Sequence, residues 1–114
     1  MPREESRAEI ARSMFLAFAA GDRERIEELL APEFVFFSPP DPGLDRTGYF
    51  ERCWPHSGTG TRFDFVRTIE AGDEVVVTYE GTRTVGSRFR NTEVLSFDGA
   101  RIVKAEVYFG WDLD

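Results

Sequence analysis

The chain is short of the residues that build disulfides and metal centres. It has one cysteine, Cys53, and one histidine, His56, among 114 residues. A single cysteine excludes an intramolecular disulfide, and a convincing zinc-type site needs three or four ligands. We therefore expect no metal and no other cofactor. We also expect a protein of a reducing, cytoplasmic compartment.

Basic charge and long apolar runs are also scarce. The 14 Lys and Arg residues are outnumbered by 21 Asp and Glu residues, so the net charge is -7. Nucleic acids and anionic membrane surfaces both select basic proteins, and neither is an expected partner. No apolar run is long enough to span a bilayer, and residues 1–5 contain no apolar signal region.

Phenylalanine, in contrast, is abundant, with 11 residues. A chain of this length suits one domain, which we place at residues 1–114, and it can fold without cross-links. Phe side chains contribute large buried areas and flat walls. The composition is typical of a packed aromatic core, and it is also compatible with an apolar pocket.

The N-terminal half predicts three helices. Ser6 and Glu9 form a capping box that begins the first helix, and Gly21 ends it. Asp22 caps a second helix, which ends at residues 31–32 because Pro32 restricts the residue before it. A third, short helix begins at Thr47.

The strands are predicted by Phe-rich and alternating segments. Residues 33–38 form a strand, and the Pro- and Gly-rich residues 39–43 form a rigid loop. Four more strands follow, at residues 62–70, 74–84, 88–97 and 101–109. Short turns between them favour an antiparallel meander, with the helices on one face of the sheet in an α+β fold.

The last two strands have apolar residues on both faces. The face that we expect to meet the helices carries Val103, Ala105, Val107 and Phe109. Ile102 and Tyr108 fall on the opposite, outer face. Exposing this apolar outer face to water is unfavourable. The simplest expectation is therefore a homodimer through the outer sheet face.

Two short segments carry a family resemblance: AAGD at residues 19–22 and FDGARIVKAEVYF at residues 97–109. With the order of elements, they resemble the nuclear transport factor 2-like superfamily, also called the SnoaL-like or polyketide-cyclase fold. The resemblance covers nearly the whole chain. It implies a cone-shaped α+β barrel, in which a curved mixed or antiparallel sheet wraps around three N-terminal helices and encloses a pocket.

The members of that superfamily differ in chemistry. They include ketosteroid isomerase, limonene-epoxide hydrolase, polyketide cyclases, dehydratases and non-enzymatic domains. The resemblance therefore implies a pocket and leaves the reaction open.

Glu93 is the first catalytic candidate. The resemblance places the acidic hydrogen-bond donor of ketosteroid isomerase at this position. Alternation with Leu95 and Phe97 also turns Glu93 inward, where apolar surroundings would raise its pKa and keep it protonated. The alternative is a structural ion pair with an arginine of a neighbouring strand, Arg83, Arg88 or Arg90.

The remaining positions of the known catalytic sets do not match. The second donor of ketosteroid isomerase, a Tyr, falls on Phe15, and its carboxylate base falls on Ser38, with Asp41 close by. The acidic residue of the epoxide hydrolase pattern falls on Val107. Isomerisation by the ketosteroid isomerase mechanism is therefore not expected.

His56 is the second catalytic candidate, because it follows the third helix near the expected pocket opening. It could act as a general base, and the alternative is an exposed loop histidine. The expected ligand-binding residues are Phe15, Phe18, Phe34, Phe36, Ser38, Trp54, Tyr79, Asn91, Val107 and Phe109.

Two functions remain open from the sequence. The first is a pocket protein, with isomerase, cyclase, dehydratase or hydrolase activity on a small apolar carbonyl or hydroxyl compound, in which Glu93 is the acid or hydrogen-bond donor. The second is a non-catalytic ligand-binding or dimerisation domain whose outer sheet face is the working surface.

Overall fold

The computed structural model describes residues 5–114, so most of the expectation about residues 1–5 falls outside it. The helices are α1 (Arg7–Ala20), α2 (Arg23–Leu29) and α3 (Arg46–Arg52), and a 3-10 turn (Trp54–His56) follows α3. The strands are β1 (Leu30–Phe37), β2 (Pro42–Asp45), β3 (Arg62–Ala71), β4 (Glu74–Thr82), β5 (Arg88–Asp98) and β6 (Arg101–Asp112).

The predicted ends of the first helix are confirmed. The Ser6 hydroxyl accepts a hydrogen bond from the Glu9 backbone N–H at 3.1 Å, and the Glu9 carboxylate accepts one from the Ser6 N–H at 3.3 Å. Gly21 ends the helix in the left-handed conformation, with φ of 70°. Asp22 then caps α2 through the Arg25 N–H at 3.2 Å. This tight junction brings both helices onto one face of the sheet.

The sheet is mixed and open, with strand order β2-β1-β6-β5-β4-β3. Strands β3 to β6 form the predicted antiparallel meander, and β1 joins it parallel to β6. The α+β class and the arrangement of three helices against a sheet are confirmed. The cone is not closed, because β2 and β3 form the two sheet edges.

The segment around β1 differs from the prediction in two ways. Strand β1 begins at Leu30, so Pro32 lies inside it and does not merely end α2. The β1–β6 register is irregular between Leu30 and Val35, which is where a proline without an N–H can be accommodated. The edge strand β2 begins at Pro42, inside the segment 39–43 that was predicted as loop, and continues to Asp45.

A β-bulge in β6 changes which residues face the core. Ser96 pairs with Lys104 but Phe97 pairs with Ile102, so Val103 is an extra residue in β6. Ile102 is therefore fully buried in the core, and the prediction that it faces outward is wrong. Val103, predicted to face the helices, is only partly buried.

A second bulge lies at Gly110, between the pairs Asn91–Phe109 and Arg90–Trp111. A Cβ atom at Gly110 would lie 2.3 Å from the Arg90 carbonyl oxygen, so the close approach of the strands requires glycine. Strand β6 continues past its predicted end at residue 109. Trp111 is exposed on the outer face, with the Arg90 guanidinium 5.3 Å from the centre of its ring.

The core lies between the helices and the inner face of the sheet. Its fully buried side chains come from α2, β1, β4, β5 and β6: Ile26, Leu30, Phe34, Val75, Val77, Leu95 and Ile102. Within residues 5–114, no helix combines the length and the hydropathy needed to cross a bilayer.

Candidate functional site

A cavity of about 570 Å³ opens between the helices and the sheet. Side chains of α1, α3, β1, β4, β5 and β6 line it, and most of them are apolar or aromatic. This volume falls within the range of roughly 300–1,000 Å³ that is typical of small-molecule sites. The fold therefore leaves ligand-sized space where a fully packed core would have none.

With the exception of Trp54, every residue expected at the site lines this cavity. The lining includes Glu93 and His56 together with Phe15, Phe18, Phe34, Phe36, Ser38, Tyr79, Asn91, Val107 and Phe109. The Trp54 ring packs edge-on against Phe18 and Phe50, with centroid distances of 5.8 and 5.9 Å. Trp54 thus supports the wall from outside the cavity.

Glu93 lies on β5, paired with Val77 of β4 and Val107 of β6, and its side chain is buried. Its Oε2 atom accepts a hydrogen bond from the Tyr79 hydroxyl at 2.8 Å. Within residues 5–114, the other oxygen, Oε1, has no hydrogen-bond or ion-pair partner. That oxygen is available to a ligand in the cavity.

The alternative of a structural ion pair at Glu93 does not hold. Arg88 pairs with Asp114, with Nε and Oδ1 at 3.4 Å, and Arg90 pairs with Glu80, with Nη2 and Oε2 at 2.5 Å. Arg83 makes no ion pair with Glu93 in the described chain. The carboxyl group therefore lies among aromatic side chains without a compensating cation.

The surroundings of Glu93 favour its neutral form. Burial raises the pKa of Glu93 to about 7, and the hydrogen bond from Tyr79 acts in the opposite direction. Near neutral pH the group populates both protonation states. When protonated it donates a hydrogen bond, and when ionised it accepts one.

A short hydrogen-bonded chain holds Tyr79 in place. Burial, followed by the nearby Glu93 carboxylate, raises the pKa of Tyr79 well above its ordinary value, so the phenol remains a neutral donor. The Asn91 side-chain amide donates to the Tyr79 oxygen at 3.4 Å, and its carbonyl accepts from the Gly110 N–H at 3.3 Å. The bulge at Gly110 thereby orients the residues that contact Glu93.

Tyr49 is a site residue that the sequence analysis missed. It lies on α3, lines the cavity and is buried, and its hydroxyl makes no hydrogen bond within the described chain. Burial raises the pKa of Tyr49, and the Glu93 carboxylate raises it further. The spacing of Tyr49 and Cys53, four residues apart on one helix face, is the signal that could have found it.

Phe15 and Ser38, the two positions that depart from the ketosteroid isomerase pattern, both line the cavity. Phe15 packs its ring against Tyr79, with centroids 4.8 Å apart. Ser38 lines the cavity, and so does Asp41, whose Oδ1 forms an ion pair with Arg52 Nη2 at 2.7 Å. Neither Phe15 nor Ser38 offers the group that the family position supplies.

Cys53 precedes the 3-10 turn and His56 is its last residue, and both line the cavity. His56 is exposed, as expected of a loop histidine, and it also lines the cavity, as expected of a general base for a bound ligand. Burial raises the pKa of the Cys53 thiol to about 11, which makes it a poor nucleophile. Residues 5–114 contain no group of three or more side chains placed to bind a metal.

Comparison with known proteins identifies the fold. The model of the SnoaL-like domain family matches residues 11–105. No curated protein sequence matches the chain. The solved structures that are similar include an NTF2-like protein of unknown function from Mesorhizobium loti, which is 27% identical with a TM-score of 0.75 and alignment over 96% of this chain and 97% of that one.

Two other similar structures carry functional names. A protein of Kribbella flavida, provisionally named a ketosteroid isomerase, is 15% identical with a TM-score of 0.80, over 95% of this chain and 80% of that one. An LEH-like epoxide hydrolase of M. tuberculosis is 18% identical with a TM-score of 0.77, over 91% and 82%. At these identities the likeness concerns the fold alone.

Proposed function

The chain belongs to the SnoaL-like domain family, and we propose that its cavity binds a small apolar molecule that carries a carbonyl or hydroxyl group. Glu93 donates a hydrogen bond or a proton to that oxygen. The corresponding reactions are those of isomerases, cyclases, dehydratases and hydrolases that depend on acid assistance.

The observation that carries the proposal is the free Oε1 atom of Glu93 inside an apolar cavity. The other oxygen is held by Tyr79, so the carboxyl group has a fixed orientation. With a pKa of about 7, the group can deliver a proton at neutral pH and take it back. An oxygen atom on an otherwise apolar ligand is the acceptor that this arrangement suits.

Tyr49 supports the same proposal. Tyr49 lines the same cavity as Glu93 and its hydroxyl has no hydrogen-bond partner within residues 5–114, so it is available as a second donor to the ligand oxygen. Two donors that converge on one oxygen stabilise developing negative charge better than one. Here the second donor comes from α3, whereas the family position on α1 is Phe15.

A titration with 2-acetylnaphthalene, an aromatic ketone, tests the role of Glu93. We expect the wild-type protein to bind this ketone about tenfold more tightly at pH 5.5 than at pH 8.5, because only protonated Glu93 donates to the carbonyl oxygen. The Glu93→Gln variant keeps an amide donor at every pH. Its affinity, measured by calorimetry, should therefore not change across the same range.

Glu74→Gln is the matched control, because Glu74 is an exposed carboxylate on β4 away from the cavity. This variant should keep the pH dependence of the wild type. A wild-type affinity that is equal at both pH values would contradict hydrogen-bond donation by Glu93. Failure to bind the ketone at either pH would speak for the non-catalytic alternative.

We also propose that the chain forms a homodimer through the outer face of the sheet. Ile69, Tyr108 and Trp111 lie on that face with 51%, 55% and 61% of their surface exposed. Tyr108 and Trp111 both belong to the exposed end of β6, residues 108–112. An exposed apolar patch of this kind favours association with a second copy.

Sedimentation equilibrium tests the dimer. Tyr108→Glu should raise the dimer dissociation constant by at least about tenfold, because it buries a charge in the interface. Leu16→Glu is the control, since Leu16 is similarly exposed, at 57%, but lies on α1. A wild-type chain that stays monomeric at high concentration would rule out the outer face as a dimer interface.

A further inference from the structure

The wall of the cavity also carries a positively charged side chain, that of Arg83. Arg83 follows the end of β4, is exposed, and lines the same cavity as Glu93. Its guanidinium lies 4.3 Å from the centre of the Phe89 ring, and its Nη1 donates to the Ser87 hydroxyl at 3.2 Å. These two contacts hold the guanidinium in place without neutralising it.

The two acidic residues of the cavity wall, Asp41 and Glu93, do not neutralise Arg83. Asp41 forms its ion pair with Arg52, and Glu93 is buried with a pKa raised to about 7. Arg83 has no acidic partner within ion-pair distance in the described part of the chain. In a protein with a net charge of -7, this is an uncompensated positive group at the entrance to an apolar site.

The separation of Arg83 from the Glu93 end of the cavity can be estimated from the rise of an extended chain. Tyr79, which contacts Glu93, lies four residues before Arg83, and a strand rises about 3.3 Å per residue. The backbone positions of Tyr79 and Arg83, one residue past the end of β4, are thus separated by roughly 13 Å. The cavity wall between them includes the Phe89 ring, which lies against Gly81.

We propose that Arg83 binds a carboxylate of the ligand, so that the substrate class is an apolar acid with a carbonyl or hydroxyl group at its buried end. A guanidinium presents two parallel N–H donors, which match a carboxylate, and its exposure lets a charged group bind without being fully desolvated. This inference rests on the proposed function, because it assigns the inner end of the ligand to Glu93.

Calorimetry with 10-hydroxydecanoic acid and its methyl ester at pH 8 and low salt tests the carboxylate site. The two compounds have the same apolar chain and hydroxyl group, but only the acid is charged. We expect the wild type to bind the acid about tenfold more tightly than the ester. Raising the salt concentration should shrink this preference, because the arginine is exposed.

Variants separate Arg83 from general charge effects. Arg83→Gln should lose the preference and bind the acid no more tightly than the ester. Arg88→Gln is the matched control, because Arg88 lies on the same hairpin but pairs with Asp114 and does not line the cavity. It should keep the preference for the acid.

The outcomes distinguish the two proposals. Equal wild-type affinity for acid and ester would overturn the carboxylate site and leave the apolar pocket with Glu93 intact. Loss of the preference in Arg88→Gln as well as Arg83→Gln would also overturn it, because the effect would then be one of net charge. The role of Glu93 is decided separately, by the pH dependence of 2-acetylnaphthalene binding.

Discussion

At pH 8, the Glu93→Gln variant should be more stable than the wild type by about 3 kcal/mol. The pKa of Glu93 rises from 4.5 to about 7 on folding because the carboxyl group is buried, with a single hydrogen bond from Tyr79. Above pH 7 the native protein must hold a buried carboxylate without a cation. Gln has nearly the same shape, accepts the same hydrogen bond and carries no charge.

The sign of the pH dependence follows from the raised pKa. Below pH 4.5 the group is protonated in both the folded and the unfolded chain, and the variant gains nothing from its neutrality. Between pH 4.5 and 7 the unfolded chain releases the proton first, so the wild type loses stability as the pH rises. Urea denaturation at pH 4.5, 5.5, 6.5 and 8 should show the two proteins diverging over this window and remaining parallel above it.

Glu74→Gln is again the control, because its carboxylate is exposed at the start of the same strand that carries Tyr79. Its stability difference from the wild type should stay small and should not vary with pH. A stability difference between Glu93→Gln and the wild type that is the same at pH 4.5 and pH 8 would show that Glu93 does not titrate with a raised pKa.

The features that sequence could predict are those set by local chemistry. Ser6, Glu9, Gly21 and Asp22 define helix ends through backbone hydrogen bonds within a few residues, and these ends are where they were expected. The inward orientation of Glu93 follows from simple alternation along an uninterrupted strand. Local signals of this kind do not depend on the rest of the fold.

The features that sequence could not predict depend on pairing between distant segments. Val103 looks like an ordinary strand residue and Gly110 falls after the predicted end of the last strand, and only the register against β5 shows that each is an extra residue. The first bulge reverses the orientation of Ile102, and the second places the Gly110 N–H against Asn91. Strand β2 has the same origin, since residues 42–45 become a strand only by pairing with β1.

The candidate site shows the same division. The aromatic wall was predictable because the Phe-rich faces of the helices and strands are buried against each other. Tyr49 was missed because its place in the cavity wall depends on how α3 packs against the sheet. Since structures with the same fold carry different functional names, the function of this chain has to be argued from the side chains of its own cavity.

The aromatic wall itself has a structural part and a part that is free to vary. Phe34 is 1% exposed and packs edge-on against Tyr49, with centroids 5.4 Å apart, whereas Phe109 is 59% exposed. Both line the cavity. Phe34→Ala should destabilise the fold by about 4 kcal/mol, because it removes a fully buried ring and enlarges an existing void. Phe109→Ala should cost about 0.5 kcal/mol.

Urea denaturation of the two variants, together with their affinity for 2-acetylnaphthalene, checks this division. Phe109→Ala should fold normally and bind the ketone several times more weakly, since it loses ligand contact but little packing. If Phe34→Ala does not fold, Phe34→Leu should still be less stable than Phe109→Ala, by about 1 kcal/mol. Equal stability of the Phe34 and Phe109 variants would mean that Phe34 is as loosely packed as Phe109. The wall around Phe34, and not only the exposed side at Phe109, would then be free to vary with the substrate.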